Sequence, residues 1–176
     1  IKILMCACIF LTSVAHAQDI HFSQFESSPL NLNPALTGFF DGDYRFAATH
    51  RSQWRSVSEP YRTFSGSMDM VLNGLADSKN RYNAGLLFNH DRAGDSKLSL
   101  TQVALSFSVL RPLDKEAKHF ISLGLQAGYV SRSINYSGLT YDEQYNGDTF
   151  DPSTGNTENF ENDNHGYADI GAGFAY

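Results

Sequence analysis

The chain has 176 residues, 41% hydrophobic and 18% charged, with a formal net charge of -6 at pH 7 and no basic run. That balance excludes a chain held to nucleic acid by its electrostatic field. Both cysteines, Cys6 and Cys8, fall within the first ten residues, so a disulfide framework or thiolate metal site farther along is excluded as well.

Residues 1–17 read as a signal peptide. Lys2 precedes an apolar run from Ile3 to Val14, and Ala15-His16-Ala17 supplies small residues for cleavage, making Gln18 the expected mature N-terminus. The run is shorter than the roughly 20 residues a spanning helix needs. A lipoprotein signal fits poorly, because Met5 is not small and most of the apolar run follows both cysteines. Residues 18–42 form a lead-in broken by Pro29, Pro34 and Gly38. It is expected to fold at the periplasmic mouth or into the lumen rather than as a strand, with Phe22 and Phe25 as anchors.

From Asp43 onward six segments alternate with period two: Asp43–Trp54, Arg62–Leu72, Tyr82–Asp91, Lys97–Arg111, Phe120–Ile134 and Tyr167–Tyr176. One parity is apolar, for example Tyr44, Phe46, Ala48 and Trp54, or Ile121, Leu123, Leu125, Ala127 and Tyr129. The other carries Ser, Thr, Asn, Gln, Gly and charges. Such strands suit lipid on one side and a watery lumen on the other. Three places break the code. Leu87 falls on the polar parity. Leu98 and Leu100 are out of phase with Val103, which predicts a bulge or a later strand start. His50 sits on the apolar parity, so either the first strand is irregular or His50 meets protein rather than lipid.

The spacing predicts an all-β fold: an antiparallel transmembrane β-barrel, of which residues 43–176 supply about six strands of a larger one. Outer-membrane barrels begin at eight strands, so the chain reads as a fragment. Asp169, Gly171, Phe174 and Tyr176 nonetheless resemble a C-terminal outer-membrane insertion signal. With a periplasmic N-terminus, the extracellular links are Arg55–Tyr61, Arg92–Ser96 and the long 135–166 segment. Tyrosines and Trp54 near strand ends suit an interfacial girdle. The alternative is a secreted β-sandwich, in which alternation reflects packing on a core.

His21-Phe22-Ser23-Gln24-Phe25, Pro29, Asn33-Pro34-Ala35, Gly38, and then Arg51 with Gln53-Trp54 resemble the opening of the PorP/SprF family. Tyr61, Thr63, Ser65, Ser67 and Asp69 continue the likeness, and Asp169-Ile170-Gly171-Ala172-Gly173 is similar to a strand near the middle of family members. These are outer-membrane proteins of the type IX secretion system of Bacteroidota. The resemblance implies a role in exporting proteins that bear type IX signals, and in some members in gliding through surface adhesins. It implies other type IX components and cargo as partners, with the opening motif as their contact. It implies no catalytic site.

The residues agree on that last point. His21, His50, His90, His119 and His165 have no regular ligand spacing, and no Ser lies in a nucleophile turn, so neither an enzyme nor a cofactor is expected. Arg45, Arg51, Asp69 and Asp91 share the polar parity and are expected to form a lumen salt-bridge ladder; the sharper alternative is a transport filter. Asp142, Glu143, Asp148, Asp151, Glu158, Glu161 and Asp163 lie in one stretch without a cation. That stretch is expected to be a weakly packed loop contacting cargo, or a mere spacer, with Asp148 and Asp151 offering calcium a loose site. The function expected is an accessory of type IX export in the outer membrane. The alternatives are a passive channel for small hydrophobic molecules and a secreted adhesive domain.

Overall fold

Period-two patterning requires a sheet, because successive side chains of a strand point to opposite faces. The computed structural model describes residues 22–56, 59–72, 80–94, 98–114, 118–135, 139, 142–145, 147–149, 151 and 164–176. The signal segment lies outside them. Six strands follow in order: β1 Tyr44–Gln53, β2 Tyr61–Val71, β3 Arg81–Ala93, β4 Leu98–Pro112, β5 Phe120–Ser133 and β6 Asn164–Ala175. They form a single antiparallel sheet in sequence order, a meander of hairpins. No second sheet faces it among the described residues.

The register runs without a slip across all six strands. On the outer face, residues align in rows such as Phe46–Met68–Leu86–Leu105–Ala127–Ile170 and Tyr44–Met70–Ala84–Phe107–Leu125–Ala172. Ala48–Gly66–Phe88–Val103–Tyr129–Ala168 borders them on one side, and Tyr82–Val109–Leu123–Phe174 on the other. Most of these side chains are exposed and the rest half-buried: Phe46 is 73% exposed, Leu105 67% and Ile170 80%. A continuous apolar wall of this size is untenable in water. The rows span about 20 Å along the strands at about 3.4 Å per residue, which suits the roughly 25 Å apolar band of an outer-membrane barrel.

Each break in the sequence code has a structural reason. Leu87 faces inward and is buried with Leu30 and Ala104, forming the hydrophobic core. The expected bulge near Leu98 is absent. Pairing is continuous from Ala93↔Leu98 to Arg81↔Leu110, so both leucines lie on the inner parity near the strand end. β1 pairs one-to-one with β2, which removes the irregular-strand reading of His50; the residue is exposed on the outer face opposite Phe64. β1 stops at Gln53 because Trp54 takes a left-handed φ of 56°. The Trp54 ring then packs edge-on to Tyr61 at 4.9 Å. β6 starts three residues earlier than its apolar pattern, since Asn164, His165 and Gly166 pair with Ser133, Arg132 and Ser131. The Tyr129 ring occupies the space a side chain at Gly166 would need.

Candidate functional site

The inner face is polar, yet its half nearest the start of β1 is covered by the chain's own lead-in. Pro29 and Pro34 supply no N–H, so this segment cannot be a ladder strand. It folds as a helical turn at Pro29–Leu32 between 3-10 turns at Phe25–Ser27 and Pro34–Leu36. Asn33 starts the last of these: its Oδ1 accepts from the Ala35 N–H at 2.9 Å, while Pro34 has no N–H to satisfy.

Carbonyls outside a ladder need other donors, and the strands provide serines. Ser122 donates to the Ala35 carbonyl at 2.6 Å, and Ser108 to the Thr37 carbonyl at 2.6 Å. The Thr37 hydroxyl donates to the Pro34 carbonyl and lies 2.6 Å from Ser106 Oγ, which must therefore be the donor of that pair. Asn33 Nδ2 donates to the Phe174 carbonyl of β6 at 2.9 Å. On the opposite flank Ser28 Oγ lies 3.3 Å from Thr49 Oγ1 of β1. Asn31 donates to Ser65 and accepts from Asn89; Asn89 donates to Gln102, which donates to Asp169.

These contacts bend the sheet. Ser28 touches β1 and Asn33 touches β6, yet one helical turn separates them, about 8 Å at 1.5 Å per residue. Five steps between strands of a flat sheet would cover about 24 Å. The sheet therefore curls around the lead-in, and the covered face is its concave side.

Glycines make the room. At Gly124 a Cβ would collide with the Pro34–Ala35 backbone, and at Gly173 with Asn33. At Gly85 it would stand 2.8 Å from Leu30 Cδ2 and 3.1 Å from Thr37 Cγ2. Gly38 is required twice over: its φ is +69°, and Asn83 fills the place of any side chain. Asn83 Oδ1 is pressed there with no hydrogen-bond partner among the described residues, although its Nδ2 donates to Ser108 at 3.0 Å.

Of the four lumen charges expected from the sequence, Arg45 and Asp69 close this seat. Asp69 is fully buried and accepts from Arg45 Nε at 2.9 Å, Arg45 Nη2 at 2.7 Å and the Gly38 N–H at 2.7 Å. Arg45 also donates to the Leu36 carbonyl at 3.0 Å, and its guanidinium lies over the Phe40 ring at 4.9 Å. Asp91 accepts from the Thr63 hydroxyl at 2.6 Å, and Thr63 stands between it and Arg51 in the register.

The motif residues divide. Asn33, Pro34, Ala35 and Gly38 are in the seat, whereas Ser23, Gln24 and Phe25 are exposed and Phe22 is half-buried; His21 lies outside the described residues. The expected aromatic anchor is thus replaced. Phe25 is 54% exposed, whereas Pro29, Leu30 and Ala35 of the lead-in are buried. Leu30 and Ala35 lie over Gly85 and Gly124, where no side chain stands in their way.

In the acidic link, Asp142–Gln144 forms a 3-10 turn, and Asp151 donates its N–H to the Gln144 carbonyl at 2.9 Å. Asp142 and Asp148 are exposed. Glu158, Glu161, Asp163 and the Glu143 side chain lie outside the described residues. No group of three or more His, Asp or Glu able to hold a metal occurs among the described residues. The seat residues Ser106, Ser108, Ser122, Gly85, Gly124 and Gly173 were not singled out from sequence. Their common sign, small residues on the polar parity of adjacent strands, was present there.

An unclosed antiparallel wall, apolar outside and polar inside, with a folded N-terminal segment against its concave face, is the architecture of part of a transmembrane β-barrel. The model of one family, type IX secretion system membrane protein PorP/SprF, matches residues 14–176, and the chain belongs to that family. No curated protein and no solved structure matches it.

Proposed function

We propose that the protein acts in the outer membrane as a non-enzymatic accessory of type IX secretion, supporting export or surface display of cargo such as gliding adhesins. Other type IX components and the cargo itself are its partners. The observation that carries this reading is the division of the lead-in. Asn33 to Gly38 is locked into the sheet, and Ser23 to Phe25 is left bare beside it. An exposed aromatic held on a rigid base suits partner contact, because little ordering entropy remains to be lost on binding. A passive channel needs a clear inner face, whereas here the lead-in crosses it.

The test is replacement of Phe22 and Phe25 by Ala in the full-length protein. Surface display of cargo should fall severalfold while the amount of inserted protein stays normal, since these side chains add little to the seat. Undiminished display at normal protein level would overturn the proposal.

A further inference from the structure

The outer face changes character at the end that carries the β1–β2 and β3–β4 links. Its terminal row reads Ser52–Arg62–Arg92–Ser99–Ser133–Asn164, and the row beneath it His50–Phe64–His90–Thr101–Ser131–Gly166. Arg62 and Arg92 are direct cross-strand partners and both are exposed. Partners of this kind have Cβ atoms about 5 Å apart, and like charges so placed oppose pairing. Neither row contains an Asp or Glu to offset them.

The charge is also local. The remainder of the terminal row is Ser and Asn, so the cations form a spot on β2 and β3 rather than a girdle around the wall. His50 and His90 flank Phe64 just below, and His90 Nδ1 lies 3.0 Å from Thr101 Oγ1. Beneath them the Phe64 and Phe88 rings pack at 6.2 Å on the border of the apolar band. Two exposed arginines thus stand, in the register, next above an aromatic pair.

We propose that Arg62 and Arg92, with His50 and His90, bind the phosphate of a membrane lipid headgroup, whose acyl chains lie against Phe64 and Phe88. Guanidinium matches phosphate bidentately, a dianion relieves the repulsion between the two arginines, and the border of the band is where headgroups stand. The proposal rests on the lipid-facing reading of the outer wall and is independent of the secretion role.

The experiment uses the full-length protein in detergent micelles. Native mass spectrometry measures retention of a glycolipid bearing phosphate groups against the same lipid without them. The wild type and R111Q, which alters an outer-face arginine near the far end of the wall, should prefer the phosphorylated lipid. R62Q/R92Q should lose roughly tenfold of that preference, as expected for removed charge-assisted hydrogen bonds. R62K/R92K keeps the charge without the fork and should show a smaller loss, which keeps the test decisive if the glutamine variant inserts poorly. Wild-type retention by both variants would overturn the proposal. So would displacement of the lipid by an equal concentration of inorganic phosphate, which would mark a plain anion site. Flotation with phosphatidylcholine vesicles separates the two premises: wild-type protein that does not float refutes the lipid-facing wall itself.

Discussion

Asp69 and Arg45 together fasten the end of the lead-in. The Asp69 carboxylate is fully buried and bonded to Arg45 and to the Gly38 N–H. Replacing Arg45 by Ala would strand that charge, so we expect a loss of about 3–5 kcal/mol, read from denaturant unfolding of the inserted protein. Removing both partners in an Arg45→Met, Asp69→Leu variant should cost less than the single change. Glycine offers a sharper comparison. Gly124→Val drives a side chain into the Pro34–Ala35 backbone, whereas Gly171→Ala, on the same face, meets only Gln126 Cβ at 3.8 Å. The first should release the lead-in to limited proteolysis within residues 22–42, and the second should leave it protected. Equal protection in both would refute the seat as described.

The strands were legible because a lipid-facing wall leaves half of each one apolar by necessity. β1 through β5 begin and end within two residues of the alternating segments. β6 was read short because Asn164, His165 and Gly166 have no strand preference of their own and are held by pairing with β5. The seat was less legible for a related reason. Ser106 and Gly124 are small and polar whether they face water or a docked segment, and only three-dimensional neighbours distinguish the two. Leu87 was the one visible hint, an aliphatic on the wrong parity that proves to be the floor beneath Leu30. The acidic link carries the remaining prediction at this scale. Replacing residues 136–162 by a tight turn should leave insertion intact, and if the link contacts cargo, surface display should fall. Unchanged display would make the link a spacer and leave partner contact to the Phe25 end.

For the molecule as a whole, the concave face is filled near the start of β1 by the lead-in, which among the described residues does not reach the other end. Ion conductance across a planar bilayer should therefore be low for the intact protein and rise when residues 22–42 are deleted. High conductance of the intact protein would favour the channel reading instead. The lead-in also has a consequence in time. Asn33 bonds to Phe174, 141 residues farther along, and Ser122 reaches back 87 residues to Ala35. The segment made first thus cannot complete its attachments until β6 has arrived. Contacts so distant in sequence form slowly, because the loop-closure entropy is spent before they return anything. The docked lead-in is accordingly a record that β1 to β6 have each reached their place, and a maturation factor that senses it would be reading their arrival.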